Sequence, residues 1–314
     1  MKGSLENSFQ LQSRRGERFK TLFKPLNFED VMSQPEIRLM THRDIDFVML
    51  LQGTVGWGNT RADAERSLYY EPDGCFVASV NDVDVGIVNS FLYGNVGFIG
   101  NLIVLPETRG MGVGAALMSK AIERLTSNGA ESIRLDSVQK AISLYERLGF
   151  KREYWSLRYN GIATKAAHKG VLPMVIEDLD QFTKLDCRYF GFDRTQKLKR
   201  ILHDFPELCF SASKEGEIRG YIMAKPGASN LRIGPWICDS KYVELAEPLF
   251  NALTSKAEGS KIWVGLPEFN KKSIKIVEGK GFTQMSASLR MCLGVCKKVE
   301  DVSGIFGIGA PDKG

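Results

Sequence analysis

The segment RGMGVGAALM, from Arg109 to Met118, has glycines at positions 110, 112 and 114 and then continues as a helix-like run. Glycine has no Cβ, so main-chain N–H groups can approach a ligand closely at these positions. At the start of a helix, such N–H groups and the helix dipole together attract an anion, most often phosphate. We therefore interpret the segment as a diphosphate cradle. The structural alternative is a tight strand-to-helix turn.

Two other phosphate-binding patterns compete with this interpretation. The Walker pattern is excluded because no Gly-Lys-Ser/Thr follows. The dinucleotide fingerprint G-x-G-x-x-A is matched by Gly110, Gly112 and Ala115, and Asp136 lies about 20 residues on, where a ribose-binding acid belongs. A dinucleotide loop, however, follows its strand directly in a parallel sheet. Here PETR intervenes after what reads as an antiparallel hairpin, so the context disfavours a dehydrogenase.

The elements that must position the loop follow a clear order. Thr41 can cap a first helix, and Asp44 suits the positive end of that helix. Periodicity and turn residues then predict a second helix, a two-stranded hairpin, a third strand that ends at Pro106, the helix after the glycines, a fourth strand, a closing helix and a last strand. The predicted ranges are 44–52, 60–70, 75–80, 85–93, 96–105, 115–126, 132–136 and 140–148. This order indicates an α+β fold with a mixed sheet.

The same pattern of strand-like runs, helices and turns returns about 133 residues later. GCFVASVNDVDVGIV (74–88) is echoed by LCFSASKEGEIRGYI (208–222), and SLYERLGF (143–150) by KIVEGKGF (275–282). The chain thus reads as two copies of one unit, and only the first copy has the glycine loop. We predict a flexible N-terminal arm (1–35), a first domain (36–160), a linker (161–173), a degenerate second domain (174–297) and a C-terminal tail (298–314).

Composition limits the partners and the compartment. The 42 basic and 37 acidic residues nearly balance, so the chain lacks the excess of basic residues that is typical of nucleic-acid-binding proteins. No apolar run approaches the roughly 20 residues of a membrane helix, and the N-terminus lacks the apolar stretch of a secretory signal. The six cysteines show neither a C-x-x-C pair nor zinc-ligand spacing, which favours buried, reduced thiols. We expect a cytoplasmic protein without a metal, a nucleic-acid partner or a membrane partner.

Two segments of the first copy resemble motifs of a known enzyme family. LIVLPETRGMGVGAALM (102–118) resembles the R/Q-x-x-G-x-G/A loop of the GCN5-related N-acetyltransferase (GNAT) family, with Arg109, Gly112 and Gly114 in the motif positions. AISLYERLGF (141–150) resembles the closing helix of that family. The similarity covers residues 36–160, and residues 174–293 resemble the degenerate second domain of two-domain bacterial-type members. The resemblance implies a tandem GNAT-like acyltransferase fold.

The resemblance also implies where acetyl-CoA, the acyl donor of the family, would bind. Main-chain N–H groups of the loop would hold the diphosphate, and the third strand would pair with the pantetheine arm and donate an N–H to the thioester oxygen. Tyr145 matches the family tyrosine that protonates the departing thiolate. The cofactor-binding residues implied in this way are Leu102, Ile103, Val104, Arg109, Gly110, Met111, Gly112, Val113, Gly114 and Ala115.

The acceptor chemistry selects further candidates. A primary amine has a pKa near 10 and must lose a proton before it attacks the thioester. Asp136, at a strand end beside the presumed thioester, is the first candidate for the base or for holding the substrate ammonium. A helix N-cap is its alternative role. Glu107 and a water held by Asn101 are further candidates for the base. Trp57 belongs either to the acceptor pocket or to the core.

The sequence departs from the family pattern in two places. Val138 stands where many relatives have an asparagine, and Val277 of the second copy stands where Tyr145 stands in the first. We therefore predict that the second half binds no CoA. Its strands and the YFGFDR loop (189–194) would instead form a wall of the acceptor pocket.

Together these observations predict an acetyl-CoA-dependent N-acetyltransferase that acts on a small primary amine by direct attack in a ternary complex. The alternatives are a non-catalytic acyl-CoA sensor and a protein or peptide N-acetyltransferase. The second domain should narrow the open groove that a peptide requires, which favours a small molecule. The protein is expected to be a monomer or a homodimer.

Overall fold

A computed structural model of the protein describes residues 34–296 and 300–310, so the predicted arm lies almost wholly outside the described residues. The helices are α1 Ile45–Val55, α2 Arg61–Tyr70, α3 Val113–Ser127, α4 Ile142–Arg147, α5 Leu179–Phe190, α6 Thr195–Asp204, α7 Ala246–Lys256 and α8 Lys271–Gly279. The strands are β1 Glu36–Leu39, β2 Cys75–Val80, β3 Val83–Tyr93, β4 Val96–Val104, β5 Ser132–Ser137, β6 Lys151–Ile162, β7 Val171–Pro173, β8 Cys209–Lys214, β9 Glu217–Pro226, β10 Leu231–Cys238, β11 Lys261–Pro267, β12 Thr283–Gly294 and β13 Ile305–Gly307.

Local sequence explains the first helices. Thr41 caps the helical turn that leads into α1, and the Asp44 carboxylate accepts the Thr41 N–H at 2.7 Å, which completes a capping box. Thr60 and Asp63 repeat this box at the start of α2. The predicted order of helices and strands in the first half is therefore found, with ends shifted by at most three residues, and the unpredicted strand β1 precedes it.

All the described strands belong to one mixed sheet. Its order is β1-β2-β3-β4-β5-β12-β6-β11-β10-β9-β8-β7, and β13 pairs with β10 outside this path. The last strand of the range 174–297, β12, pairs with β5 of the first half, from Leu289 opposite Ser137 to Gly294 opposite Ser132. In return β6 pairs with β11, from Ser156 opposite Pro267 to Ile162 opposite Lys261. The two halves thus exchange their last strands.

The exchange joins the two copies into one body. The predicted ranges 36–160 and 174–297 follow the copies along the sequence, but each half of the sheet contains a strand from the other range. The first core packs α3 against the first half of the sheet, with Leu289 and Met291 of β12 among its buried members. The second core packs α7 against the other half, where Trp236 stacks on Phe250. Tyr159 of β6 is a buried member of the second core, so both of these cores contain residues from the partner range.

The cysteines depart from the sequence prediction at one pair. Cys292 and Cys296 form a disulfide, so the expectation of reduced thiols is wrong for these two residues. Among the free cysteines, Cys187 is exposed and the others are buried: Cys75, Cys209 and Cys238. Composition missed the bridge because the pair has neither the spacing of a metal site nor that of a C-x-x-C motif.

Membrane-spanning helices can be assessed over the described ranges. No helix there combines the length and the apolar character that a bilayer crossing requires.

Candidate active site

A gap between two neighbouring parallel strands forms the centre of the candidate site. β4 and β5 pair only from Val96 opposite Ser132 to Phe98 opposite Arg134. Beyond Phe98 the two strands separate, and no other described strand pairs with this edge of β4. The gap therefore offers unpaired main-chain groups to an extended ligand, as a sheet edge does in strand addition.

A bulge sets the orientation of these groups. Gly100 lies opposite Asn89 and Ile103 opposite Ile87, so β4 contains one more residue than β3 here. Asn101 takes a positive φ of 52°, a conformation that asparagine tolerates better than most residues. Since the Leu105 N–H donates to Val85 on β3, strand alternation turns the main-chain groups of residues 102 and 104 toward the gap.

The glycine loop lies where the chain passes from β4 into α3. Gly110 and Gly112 have φ values of 84° and 81°, and Gly112 caps the helix without a side-chain hydrogen bond. The first N–H groups of a helix have no partner within that helix. A Cβ on either glycine would meet no atom within 4 Å, so open space adjoins the loop. This open, glycine-lined helix start fits a diphosphate, as the sequence predicts.

Arg109 joins the loop to the gap. Its Nε donates to the carbonyl oxygen of Val104 at 3.1 Å, and its side chain is exposed. Val104 is one of the residues whose main-chain groups face the gap. The arginine of the motif therefore holds the end of β4 beside the helix start, which places the two predicted cofactor-binding segments next to each other.

Tyr145 lies in α4, directly after β5. Its ring is 8% exposed and makes an edge contact with Phe150. Burial raises the pKa of Tyr145 to about 12. No described residue accepts a hydrogen bond from its hydroxyl. The hydroxyl therefore stays protonated near neutral pH and retains a proton that it can donate to a leaving group.

A cleft of about 340 Å³ opens between the two halves at the other end of the gap. The first half contributes Trp57, Asn101 and Asp136, and the second half contributes Arg232 and Trp263. Three of the predicted site residues thus share one cleft, whereas Tyr145 and the glycine loop do not line it. Trp57 also packs partly against the first-half core, so both of its predicted environments are present.

Asp136 is enclosed by arginines from two other strands. Its Oδ1 accepts from Arg290 Nε at 2.5 Å, and its Oδ2 accepts from Arg158 at 3.1 Å. The carboxylate is fully buried, and Arg290 also pairs with Glu300 at 2.7 Å. A carboxylate whose two oxygens are occupied in this way is better suited to positioning Arg158 than to removing a proton.

The alternative role of Asp136 is a helix cap, and it is wrong. The helical turn after β5 has Val138 as its N-cap residue, without a side-chain cap hydrogen bond. The acidic side chain instead points to the neighbouring strands.

The two arginines have different electrostatic environments. Burial lowers the pKa of Arg158, and the attraction of Asp136 does not fully offset this effect. Burial acts in the same direction on Arg290, but Asp136, Tyr154 and Glu300 outweigh it and hold the pKa well above the usual value. Arg290 is therefore a fixed structural cation, and Arg158 is the cation of this cluster that reaches the cleft.

The YFGFDR loop does not occupy its predicted place. Phe190 and Phe192 pack against Phe91, Tyr93 and Phe98 of the first half. The loop therefore joins the two halves through an aromatic cluster and does not line the cleft. The second-half wall is built by strands β9 to β12, and residues 308–310 of the C-terminal segment complete it.

The gap of the second half is closed. β10 and β11 pair from Leu231 opposite Ile262 to Ile233 opposite Val264 and then separate, as β4 and β5 do. Here β13 pairs with β10, the Cys238 N–H donates to Gly304, and the Ile308 N–H donates to Gly265 of β11. Residues 304–308, which we call the closing segment, bridge both strands.

Sequence reasoning missed Arg158 and Arg232, which line the cleft from β6 and β10. Arg158 lies in the strand run SLRYN and Arg232 in NLRIGPW, each between apolar neighbours. A charged residue inside such a run was the available signal, because arginine is almost never fully buried without a partner.

The comparisons with known proteins agree with this geometry. A profile described as "Acetyltransferase (GNAT) family" matches residues 45–150, and one described as "Acetyltransferase (GNAT) domain" matches residues 182–307. The acetyltransferase ECA0875 of Pectobacterium atrosepticum is 32% identical over 123 residues, which cover 37% of this chain and 87% of that protein. YitH of Bacillus subtilis, an uncharacterized N-acetyltransferase, is 23% identical over 228 residues, 71% of this chain and 79% of YitH.

Solved structures share the whole architecture. A protein from Pyrococcus horikoshii, assigned as an acetyltransferase, superposes with a TM-score of 0.76 at 25% identity and covers 93% of this chain and 99% of its own. A tandem GNAT protein from the clavulanic acid biosynthesis pathway superposes with a TM-score of 0.59 at 14% identity, covering 84% and 100% of the two chains. The predicted α+β tandem fold is confirmed. The chain belongs to the GCN5-related N-acetyltransferase family, as an acetyltransferase with two GNAT domains.

Proposed function

We propose that this acetyltransferase uses acetyl-CoA and transfers the acetyl group to a primary amine of a small molecule, by direct attack in a ternary complex. The observation that carries the proposal is the first half's open gap, with a glycine-lined helix start at one end and a cleft at the other. Acetyl-CoA would supply an activated thioester. The N–H groups of residues 111–115 would hold its diphosphate, and the main-chain groups of residues 102–104 would pair with its pantetheine arm.

Tyr145 is proposed as the acid that protonates the departing thiolate. Its burial and raised pKa keep the proton on the hydroxyl, and no described residue competes for that proton. Asp136 and Arg158 are proposed to position the acceptor. Because Asp63 and Asp136 are the carboxylates among the described cleft residues and both are ion-paired, we assign the removal of the amine proton to water, with Asn101 as a candidate to hold that water.

The position of the cleft between the two halves favours a small acceptor over a protein. Both halves and residues 308–310 surround it, whereas a peptide needs an open groove. Calorimetry with acetyl-CoA, followed by a thiol-release assay across a panel of amines, tests the proposal. We expect micromolar-range binding and turnover with small amines. Binding without any turnover would identify a sensor, turnover on peptides alone would identify a peptide acetyltransferase, and no binding would overturn the proposal.

A further inference from the structure

The charges of the cleft do not balance, and the imbalance lies at one residue. Asp63 is contacted by Arg66 at 2.9 Å and by Lys225, so this carboxylate is already matched by two cations. Asp136 is matched in the same way by Arg158 and Arg290. Neither carboxylate is available to a third cation.

Arg232 is the cation that remains. Its guanidinium donates to Asn59 Oδ1 at 2.6 Å and to the carbonyl of Trp57, both neutral acceptors. Its Nε is buried and has no hydrogen-bond partner, and no carboxylate of residues 34–296 or 300–310 forms an ion pair with it. Lys225 lies directly opposite Arg232 in the β9–β10 register and is itself paired with Asp63.

A structural role alone does not account for the charge. Arg232 contacts the loop between α1 and α2, but the Ala228 N–H already ties this loop to the second half by donating to Gly58 at 3.0 Å. Lys225 and Asp63 provide another link between the halves. A neutral donor could make the two bonds that Arg232 makes. A half-buried guanidinium without a counter-charge is costly, and an anion on the ligand would remove this cost.

We propose that the acceptor amine carries a carboxylate and that Arg232 binds it. This inference rests on the proposed function and names its substrate class, an amino-acid-like molecule. The planar guanidinium suits a carboxylate because two N–H groups can meet its two oxygens. Arg232 is then a specificity-determining residue, and the acceptor amine extends from it toward the gap between β4 and β5.

Matched acceptor pairs test the proposal. The wild-type enzyme is assayed with acetyl-CoA on amino acids and on the amines that correspond to them without the carboxylate, and on aminophosphonates of the same length. We expect kcat/KM to be about 10- to 100-fold higher for the amino acids, the scale of one or two hydrogen bonds to a charged group. Equal values for both members of each pair, or a preference for aminophosphonates alone, would overturn the carboxylate assignment.

The variant Arg232→Gln keeps hydrogen-bond donors and removes the charge. We expect it to lose the preference for amino acids through a higher KM, while the KM for acetyl-CoA and the rate on simple amines stay unchanged. Arg188→Gln is the control, because Arg188 is exposed and lies outside the cleft. An equal loss on both members of each pair would show a structural role and overturn the proposal.

The wild-type comparison decides the question even where Arg232→Gln does not fold. No turnover on any acceptor, with acetyl-CoA still bound, would overturn the proposed function and this inference with it. Turnover on amines without discrimination would overturn the inference alone.

Discussion

The two halves of the molecule share one gap geometry and differ in what fills it. In the first half β4 and β5 separate after three paired residues, and the gap is open beside a glycine-lined helix start. In the second half β10 and β11 separate after three paired residues, but the closing segment binds both strands. The comparison shows the same gap left open in one repeat and filled by the protein's own chain in the other.

The closing segment does in the second half what a ligand would do in the first. It satisfies the main-chain groups that the splayed strands expose, which would otherwise be buried without partners. Phe306 of this segment is fully buried against Trp236, at a ring distance of 5.3 Å. The filled gap therefore supports the prediction that the second half binds no CoA. It adds to the reason already given, the missing glycine loop.

Separating the halves should have the largest effect. A chain that ends at residue 165 lacks β11 and β12, so β5 loses one of its two neighbours and β6 loses both of its partners. We expect this fragment to lack a folded core and acetyl-CoA binding, as measured by circular dichroism and calorimetry. Co-expression with residues 166–314 is the control, because it lets the halves exchange strands and should restore binding. A fragment that binds acetyl-CoA as tightly as the whole chain would contradict the exchange.

Tyr145→Phe should have the next largest effect. It removes the proposed acid and should lower kcat by about 100-fold, the scale of one acid–base group, with acetyl-CoA affinity nearly unchanged. Because the pKa of Tyr145 is raised to about 12, its hydroxyl stays protonated up to about pH 10. Steady-state kinetics across pH should therefore show no alkaline loss of turnover from this group below pH 10. Unchanged kcat in the variant would remove Tyr145 from the mechanism.

Gly112→Val compares the two halves directly. Its β-branched side chain would project into the open space where the diphosphate is proposed to lie. Acetyl-CoA affinity should fall at least about tenfold, since one hydrogen bond to a charged group contributes about 1.5–3 kcal/mol. Gly259→Val is the matched control: Gly259 has a φ of 80°, against 81° for Gly112, and the same open surroundings, but it lies in the second half. We expect calorimetry to show a loss of acetyl-CoA affinity in Gly112→Val and not in Gly259→Val. Equal losses of affinity in the two variants would show that the effect is backbone strain.

Phe306→Ala should have the smallest effect on acetyl transfer. Its loss leaves a cavity beside Trp236 and should lower the free energy of unfolding by about 3–5 kcal/mol. Acetyl-CoA should still bind the folded variant with unchanged affinity and one site per chain. Denaturant unfolding and calorimetry measure the two quantities. A second acetyl-CoA site in this variant would show that the closing segment alone keeps the second half from binding.

The sequence was sufficient wherever local chemistry decides the structure. The Thr41 and Thr60 capping boxes, the glycine turn and the repeat are readable because each depends on a few adjacent residues. The family motif also directed attention to the third strand, which borders the gap. These features predict most elements and one end of the site.

The rest depends on contacts between distant segments. The exchange of β6 and β12 joins strands more than 100 residues apart, and nothing in their alternating patterns specifies the partner. Asp136 was predicted as a base or an ammonium-binding group, since its partners Arg158 and Arg290 lie on other strands and cannot be assigned to it from the sequence. Arg232 and the closing segment were missed for the same reason, since each acquires its role only from the opposite half or the opposite strand.

A crystal structure of the full chain with bound coenzyme tests the central claim most directly. We predict one coenzyme per chain, with its diphosphate on the N–H groups of residues 111–115, its arm between β4 and β5, and the closing segment still between β10 and β11. A coenzyme in the second half, or loop N–H groups turned into the protein core, would contradict the account.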